Sequence, residues 1–568
     1  MCSIAGGTLS REKILEISRA MAHRGPDDSG FFEDNFIKLA HNRLAIIDLS
    51  ESASQPMFFE DLVLVFNGEI YNFQEIRNDL IKLGYKFSSQ SDTEVLLKAF
   101  HRYGSNCLEK LNGDFSFCIY NKVQKKLFLA RDRLGNKPLF YWFKNGEFCF
   151  ASECSAFLKN FQLTLNVQYA GDAVLFGLCD YAESTIYNEV LNLPPAHFME
   201  IDLSEKKKVI KKYWKLSNEV IDESFDRTKF CKKVEEFSCL LEDAVRVRLI
   251  SDVKVGTLIS GGLDSSIIAA LVKKIDPGHL FFSASYPDYP EVDETGYAKI
   301  LEKELNLNVY YVKPTIRDAQ NNIDQLFQRQ GDLFRSFSIM SQFLTIKEAS
   351  KTVKVILSGQ GADELFGGYY HYFSRFLSQN LIEFFPRYKK YRSKAFKEML
   401  LLLKFAQPDF VKKKVFERDN SEDLQNLRKL FPDYSPRWEL LLEKFVLDVK
   451  KALVNDSLIF SLPQLLRYED RNSMTFSVEN RTPFTDYRVV EFAHRLPASY
   501  KFRHGLNKYF LRYLGKKNLP REIYLRLDKM GFEAPEKYWL KSIDSLPGEK
   551  CPNLRFFLLK RIMEKIPL

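Results

Sequence analysis

A cysteine at position 2, directly after the initiator methionine, is the residue whose place in the chain first suggests chemistry. Removal of Met1 would leave an α-amine and a thiol together on Cys2. A free α-amine has an unperturbed pKa of about 7.7–8.0, so it can take the thiol proton near neutral pH without a histidine. Any residue can follow Met1, however, so the position alone is weak evidence for a nucleophile.

A glycine-rich loop, SGGLDSS at residues 260–266, is the second candidate. The apolar, β-branched run 253–260 predicts a strand before it, and the apolar pattern of 264–274 predicts a helix after it. A strand, a glycine loop and a helix N-terminus form an anion site, because unpaired N–H groups and the helix dipole face the ligand. A lone glycine loop is more often an ordinary turn, but the Asp and Ser residues of this loop make it a more specific signal for an anion site.

Short motifs recur through the first part of the chain and strengthen the evidence that Cys2 is a nucleophile. They are MAHRGPDDSG (21–30), HNRLAIIDLS (41–50), SQPM (54–57), NGEIYN (67–72), SDTE (91–94), LNGDFSFCIY (111–120) and ARDRLGNKPLFY (130–141). In order and spacing they resemble the glutaminase domain of class II glutamine amidotransferases, in its asparagine synthetase branch. The resemblance implies that the Cys2 thiolate attacks the side-chain amide of glutamine.

An oxyanion forms when a thiolate attacks an amide, and the motif at 67–72 contains groups that can stabilise it. The Asn67 amide and the Gly68 backbone N–H follow the apolar strand predicted at 62–66. Glycine at position 68 also lets the backbone approach the substrate closely. We therefore expect Cys2, Asn67 and Gly68 to form the catalytic group.

Free glutamine has two charged ends that a binding site must recognise. The resemblance places Arg43 on the α-carboxylate, with Glu69 and Asp92 on the α-ammonium. Taken singly, Arg43 or Asp92 would be assigned to a surface ion pair. Their positions within matching motifs favour glutamine binding instead.

The loop at 260–266 lacks the Gly-Lys-Ser/Thr sequence that handles a transferred γ-phosphate. It resembles the loop of ATP pyrophosphatases, which split ATP between its α and β phosphates and form an adenylated intermediate. A pyrophosphate leaving group carries several negative charges, so the resemblance implies Mg²⁺ and carboxylate ligands. A second predicted strand, 353–358, runs into GQGADELFGGYY (359–370), which resembles the second nucleotide loop of the family. The metal-ligand candidates are Asp264 and Asp363.

Late segments of the chain extend the same resemblance, namely SVENRTPFTD (477–486) and GLNKYFLR (505–512). They imply a phosphate contact at Lys508, which on its own would be assigned to a solvated helix face. The ATP contacts that the resemblance implies are Leu258, Ser260, Gly261, Gly262, Asp264, Ser265, Ser266, Ala284, Ser358, Gly359 and Lys508.

Two departures from the family pattern bear on the acceptor. Most asparagine synthetases have glutamate at the position of Gln360, where it is thought to help deprotonate the incoming nitrogen, and an amide cannot act as a base. The stretch 331–343 also does not reproduce the Thr- and Arg-containing segment that many of them use near aspartate. Both changes resemble relatives thought to amidate other carboxylates, such as uronic acids of surface polysaccharides. Gln360 is the acceptor-site candidate.

Three functions follow from these observations. Amidation of aspartate to asparagine through an acyl-AMP ester is the leading hypothesis, since the resemblance covers nearly the whole chain. The same reaction on a sugar or peptide carboxylate is the alternative. A non-catalytic binding protein is disfavoured, because a decayed enzyme would be expected to lose some of Cys2, Asn67, Asp264 and Asp363, and all four are present.

Two domains are predicted. Residues 1–204 resemble a glutaminase with the four-layer αββα fold of N-terminal nucleophile enzymes, and residues 205–225, which begin with a lysine-rich run, are predicted to be a linker. Residues 226–568 alternate strand and helix patterns, as in a Rossmann-like parallel α/β ATP-pyrophosphatase domain. Within them, residues 373–455 are rich in Lys, Leu and Phe and predict a helical segment whose apolar stripes are core.

Composition agrees with a cytoplasmic enzyme. The nine cysteines include no CxxC pair and no secretory segment is evident, so we expect a reducing compartment and no disulfide framework. Apolar runs such as 399–403 are shorter than the ~20 residues of a membrane span. The net charge of +9 is a small excess of 83 basic over 74 acidic residues, which favours solvated faces over nucleic-acid binding. The resemblance allows a homodimer and leaves the oligomeric state open.

Overall fold

The computed structural model describes residues 2–217, 224–378, 380–389, 399–400, 402–403, 406–526, 534–536, 538–539 and 554–564. The N-terminal half is built on twelve strands in this described part of the chain. They are β1 (Ser3–Gly7), β2 (Asp28–Glu33), β3 (Lys38–Arg43), β4 (Met57–Phe59), β5 (Leu62–Ile70), β6 (Gly113–Asn121), β7 (Lys126–Arg131), β8 (Phe140–Lys144), β9 (Glu147–Ala151), β10 (Val190–Asn192), β11 (His197–Asp202) and β12 (Lys207–Lys212). One antiparallel sheet has the order β10-β8-β9-β1-β3-β2, and the other has the order β12-β11-β7-β6-β5-β4.

These two sheets pack face to face, and helices cover their outer faces. Because side chains alternate along a strand, Val63 and Val65 of β5 pack against Ile4 of β1, whereas Leu64 and Phe66 point to the helices. Helix α1 lies on the first sheet, and α2 and α3 lie on the second. The predicted αββα layering is confirmed. The helices of this half are α1 (Arg11–Ala20), α2 (Phe73–Lys82), α3 (Asp92–Tyr103), α4 (Cys107–Lys110) and α5 (Val167–Phe176).

The lysine-rich run after residue 204 forms an edge strand. Residues 207–212, which lie inside the predicted linker, form β12 and pair antiparallel with β11 in the second sheet. Their side chains alternate between exposed and half-buried positions. Lysines on an outer strand are a common way to keep a sheet edge from pairing with another chain.

A parallel sheet with helices on both faces forms the C-terminal half. Its strands are β13 (Val255–Leu258), β14 (Leu280–Ala284), β15 (Asn308–Val312), β16 (Val355–Leu357) and β17 (Glu479–Arg481), in the order β15-β14-β13-β16-β17. Phe281 and Leu357 pack on one side with helices α6 and α7, and Phe282 and Ile356 pack on the other with α10. The described helices are α6 (Arg227–Arg248), α7 (Leu263–Ile275), α8 (Thr295–Leu305), α9 (Ile316–Gln330), α10 (Ile339–Ala349), α11 (Ala362–Phe366), α12 (Tyr370–Leu377), α13 (Asp409–Asp419), α14 (Ser421–Leu430), α15 (Trp438–Lys444), α16 (Val449–Asn455), α17 (Leu462–Met474), α18 (Tyr487–Arg495), α19 (Ala498–Lys501), α20 (Tyr509–Gly515), α21 (Arg521–Tyr524) and α22 (Leu554–Met563).

The two halves share an apolar core. One cluster joins Cys154 and Tyr169 of the N-terminal half to Leu333, Phe334 and Phe431 of the C-terminal half. Burial of this kind fixes the two halves against each other, so the sites they carry have a defined relative position. In the described parts of the chain, every helix is too short or too polar to cross a bilayer.

Candidate functional site

Cys2 directly precedes β1 and meets the end of β5. Its backbone nitrogen donates to Asn67 Oδ1 at 3.1 Å, and its carbonyl accepts a hydrogen bond from Arg24 Nε at 3.2 Å. The Asn67 amide nitrogen also donates to Ser116 Oγ at 3.3 Å. The structure therefore brings Cys2 and Asn67, which are 65 positions apart, into direct contact.

Gly68 has a backbone conformation and surroundings that only glycine fits. Its φ is +153°, and a Cβ at this position would lie 2.2 Å from the carbonyl oxygen of Asp114 on the neighbouring strand β6. A side chain would force β5 and β6 apart at the point where β5 passes Cys2. Gly68 and Cys2 border the same pocket.

An open pocket of about 400 Å³ lies over Cys2. It is bordered by all the predicted glutamine-binding residues, by Gly68, and by one charged residue that the sequence analysis did not assign, Glu479. Arg43 donates to the carbonyls of Asp48 and Ser50 and to the Ser54 hydroxyl, all of which are uncharged groups. The charged borders of the pocket are Arg43, Glu69, Asp92 and Glu479.

Burial dominates the electrostatics of this pocket. It raises the pKa of the Cys2 thiol, and a hydrogen bond to Leu44 O and the charge of Arg43 offset only part of the effect. Burial also raises the pKa of Glu69 and of Asp92, and the Asp92 charge raises that of Glu69 further. The thiol therefore needs a base at neutral pH, and the carboxylate pair needs a positive partner.

Strand β17 brings a charged pair from the C-terminal half to this pocket. Arg481 is fully buried and donates to Glu69 Oε2 at 3.0 Å and to Glu479 Oε1 at 2.5 Å. Burial raises the pKa of Glu479, but positive charges including Arg481 and Lys137 outweigh it and lower the value to about 2. Sequence reasoning missed both residues. Their spacing of two on a buried strand, which puts opposite charges on one face, is the signal that could have found them.

The predicted nucleotide loop lies between β13 and α7, as its pattern indicated. Gly261 has a φ of +65°, and a Cβ there would lie 2.5 Å from the Cβ of Tyr297 on α8. The Ser265 hydroxyl donates to Gly262 O at 3.2 Å and fixes the turn into α7. The Ser266 hydroxyl is buried without a hydrogen-bond partner among the described residues, so it is left for a ligand.

Lys508, just before α20, connects the two predicted metal ligands. Its Nζ lies 2.6 Å from Asp264 Oδ2 and also contacts Asp363 Oδ1. A Cβ on Gly359 would lie 3.0 Å from the backbone nitrogen of Ser265, so the second loop packs closely on the first. The structure therefore gathers Asp264, Asp363, Lys508 and Gly359 in one place.

This oxygen-rich donor set fits Mg²⁺. Asp264 and Asp363 are hard oxygen ligands on adjoining loops, and Mg²⁺ is commonly held by one or two carboxylates together with substrate phosphates and water. Within the described residues, no cluster of three or more His, Cys, Asp or Glu side chains could hold a metal by itself. A metal at this place would depend on a phosphate ligand.

The remaining predicted ATP contacts lie at the same edge of the sheet. Leu258 and Ala284 end the neighbouring parallel strands β13 and β14, and Ser358 directly follows β16. The carboxyl edge of a parallel sheet, where strand order changes direction, is the usual ligand site of this architecture. Gln360 lies in the loop between β16 and α11 and is only half-buried. The next residue, Gly361, adjoins Leu462 at the start of α17.

Comparisons with known proteins agree with this arrangement of two sites. A glutamine amidotransferase domain model matches residues 1–214, and an asparagine synthase model matches residues 236–550. The chain is 30% identical over 563 residues to asparagine synthetase [glutamine-hydrolyzing] 1 of Bacillus subtilis (strain 168), covering 94% of this chain and 85% of that protein. It is also 30% identical over 590 residues to asparagine synthetase [glutamine-hydrolyzing] 3 of the same organism, covering 96% and 90%.

Proposed function

Because the chain belongs to the asparagine synthase family of glutamine-dependent ligases, we propose that it transfers the amide nitrogen of glutamine to aspartate through an acyl-AMP ester. The observation that carries this proposal is the pairing of a buried Cys2 pocket with a separate site around Lys508 in one rigidly packed chain. The first site frees nitrogen, and the second activates the carboxylate that receives it.

In the first half-reaction, the α-amine of processed Cys2 takes the thiol proton and the thiolate attacks the side-chain carbonyl of glutamine. The Gly68 N–H and the second N–H of the Asn67 amide stabilise the oxyanion. Ammonia leaves as the thioester forms, and water then releases glutamate. The raised pKa of the buried thiol supports the need for a base attached to the same residue.

Glutamine is held by both of its charged ends. Arg43 binds the α-carboxylate, since its hydrogen bonds within the protein go to neutral carbonyl and hydroxyl groups and leave its charge uncompensated. Glu69 and Asp92 bind the α-ammonium, whose positive charge relieves their mutual repulsion. Arg481 holds Glu69 in place from the other half of the molecule.

In the second half-reaction, the loop at 260–266 holds the phosphates of ATP, with the Ser266 hydroxyl and the first N–H groups of α7 as donors. Lys508 neutralises charge on the pyrophosphate as it leaves. Asp264 and Asp363 would hold Mg²⁺, which supplies further charge neutralisation at the phosphates. The aspartate carboxylate attacks the α-phosphorus, pyrophosphate departs, and ammonia then displaces AMP from the acyl-AMP ester.

The acceptor is tested by measuring glutamine- and ATP-dependent pyrophosphate release with aspartate and with a panel of uronic acids. We expect aspartate to stimulate release and AMP to be the nucleotide product. No response to aspartate together with a response to a uronic acid would assign the other acceptor class. ADP as the product would contradict the proposed chemistry altogether.

The separation of sites is tested by two substitutions. Cys2→Ala should lower glutamine-dependent amide formation by at least about 10³-fold, because the nucleophile is lost, while ammonia-dependent formation stays within about twofold. Asp264→Asn should lower both glutamine-dependent and ammonia-dependent amide formation, because both need the acyl-AMP ester, and should spare glutamine hydrolysis. Loss of both activities in Cys2→Ala would contradict independent sites.

A further inference from the structure

Glu469 on α17 is a buried carboxylate that none of these steps uses. Its Oε1 accepts a hydrogen bond from Gln342 Nε2 at 2.7 Å, and its Oε2 accepts one from the Asn480 amide. The Ser358 hydroxyl faces the same carboxylate. These three neighbours come from α10, β17 and the loop after β16, so Glu469 lies where three elements of the C-terminal half converge.

This place adjoins both proposed sites. Ser358 begins the loop whose next residue, Gly359, packs on the start of α7 at the nucleotide site. Asn480 stands on β17 between Glu479, which borders the Cys2 pocket, and Arg481, which donates to Glu69 of that pocket. The Asn480 carbonyl also accepts a hydrogen bond from Lys137 of the N-terminal half at 3.4 Å. Glu469 therefore contacts β17, whose Glu479 borders the pocket that releases nitrogen, and lies beside the loop that begins at Ser358.

The surroundings of Glu469 let it gain and lose a proton near neutral pH. Burial raises its pKa to about 7, and the hydrogen bonds from Gln342 and Asn480, together with the nearby Ser358 hydroxyl, limit the rise. The next residue, Asp470, differs: burial raises its pKa, but the positive charges of Arg24, Arg471 and Lys137 together lower it more, and the net value lies below the usual range. The surroundings thus give the two adjacent carboxylates different pKa values. Asp470 stays charged near neutral pH, and Glu469 can titrate there.

The amide-forming step needs such a group. When ammonia attacks the acyl carbon, a C–N bond forms and the nitrogen becomes positively charged. One proton must leave before the C–O bond to AMP breaks and its electron pair departs with AMP. Gln360 cannot accept that proton, because its side chain is a neutral amide.

We propose that Glu469 is the general base that takes this proton, an inference that rests on the proposed function. Glu364 is the other buried carboxylate near the second loop with a pKa raised to about 7. Its hydrogen bonds go to Tyr369 and Ser461, and neither of these lies on β17, the strand that carries Glu479 to the Cys2 pocket from which ammonia arrives. Glu469 is favoured because Asn480 connects it to the strand that closes that pocket.

The test uses Glu469→Gln in the full chain, with ammonium chloride as nitrogen source, Mg-ATP, and aspartate or the uronic acid that the wild type accepts. Acceptor-dependent exchange of pyrophosphate into ATP reports acyl-AMP formation, and amide formation reports the later step. We expect exchange within about twofold of wild type and amide formation lowered by about 10²–10⁴-fold, the usual contribution of a general base. Glutamine hydrolysis should be unchanged, which also shows that the variant is folded.

Asp172→Asn is the matched control. Asp172 is likewise buried with a raised pKa and accepts hydrogen bonds from a glutamine, Gln168, but it lies on α5 and contacts Tyr434 and Arg437. Its amide formation should stay within about twofold of wild type. If Glu469→Gln proves unfolded, Glu469→Asp, which keeps a carboxylate, should retain exchange and lose less amide formation.

Amide formation by Glu469→Gln at more than half the wild-type rate would overturn the inference, and so would an equal loss of exchange and amide formation. Neither result would affect the proposed function, because the wild type would still be active. A wild-type protein that forms no AMP with any acceptor would instead remove the proposed function and this inference with it.

Discussion

The proposed glutamine pocket is defined at the level of single residues by buried charges that are only partly compensated. Burial and the charge of Asp92 raise the pKa of Glu69, while Arg481 is shared between Glu69 and Glu479. Arg43 brings a positive charge whose hydrogen-bond partners are neutral. A zwitterionic α-amino acid supplies one charge of each sign. Its carboxylate can neutralise Arg43, and its ammonium can neutralise the Glu69 and Asp92 carboxylates.

Glutamine binding should therefore weaken as the pH falls. Protonation of Asp92 or Glu69 removes the negative charge that holds the α-ammonium, and burial raises both pKa values above the range near 4 of exposed carboxylates. We expect KM for glutamine to rise as the pH falls below neutrality, at a higher pH than for an exposed carboxylate. Rates of glutamate release between about pH 5 and 8 check this.

Asp92→Asn should raise KM by about 10–100-fold and remove most of its pH dependence, since a hydrogen bond to a charged group contributes about 1.5–3 kcal/mol. Asp79→Asn is the control, because Asp79 lies on α2 with its side chain 67% exposed. A wild-type KM that stays constant across this pH range would argue against carboxylate recognition of the α-ammonium.

At the level of elements, two strand–loop–helix units form the proposed nucleotide site. One runs from β13 through residues 260–262 to α7, and the other from β16 through residues 358–361 to α11. Gly359 lets the second loop lie against the backbone of Ser265, and Lys508 then bridges the acidic residue of each unit. The charges converge because the elements that carry them pack at glycine contacts.

Gly261→Ala should separate these elements. Its φ of +65° strains any side chain, and the new Cβ would lie 2.5 Å from Tyr297 Cβ and 2.8 Å from the Ala298 nitrogen on α8. We expect ATP-dependent pyrophosphate release to fall by at least about tenfold, with glutamine hydrolysis unaffected. Gly104→Ala shares the positive φ, +58°, but its Cβ would meet no atom within 4 Å. If Gly104→Ala lowered pyrophosphate release as much as Gly261→Ala, the contact with α8 would be excluded as the cause of the loss.

Local pattern predicted these units well, because a glycine loop between a β-branched run and a helical pattern depends on near neighbours in sequence. The strand predicted at 253–260 is β13, Val255–Leu258, and the helix predicted at 264–274 is α7, Leu263–Ile275. The αββα and parallel α/β fold classes are confirmed. The sequence could not assign Glu479, Arg481 or Glu469, since their roles depend on where β17 and α17 lie relative to the N-terminal half.

For the molecule as a whole, helix α17 connects the two sites. Arg24 of the N-terminal half is fully buried and donates to both carboxylate oxygens of Asp470 at 2.8 Å, while its Nε donates to the carbonyl of Cys2. Arg24 also donates to Glu153. One helix thus holds the backbone of the nucleophile through Asp470 and borders the second loop through Glu469. The buried Arg24–Asp470 pair therefore joins the backbone of Cys2 to α17.

Asp470→Asn should therefore uncouple the two half-reactions. Loss of one charge leaves Arg24 only partly compensated in a buried place, and breaking such a pair commonly costs about 3–5 kcal/mol. We expect a lower thermal midpoint and a ratio of glutamate released to amide formed at least about twofold above that of wild type, because ammonia escapes when the halves are loosely held. Ammonia-dependent amide formation should change little, since it bypasses the first site. Parallel assays of glutamate, amide and pyrophosphate measure the ratio.

The control for this prediction also spans the two halves. Asp27 and Lys354 form an ion pair at 3.0 Å whose side chains are 28% and 43% exposed. Exposed pairs of this kind contribute about 0–1 kcal/mol, so Asp27→Asn should leave both the thermal midpoint and the product ratio near wild type. If Asp27→Asn and Asp470→Asn raised the ratio equally, loss of any contact between the halves would explain it. If neither raised it, the buried Arg24–Asp470 pair would contribute to stability without coupling the two reactions.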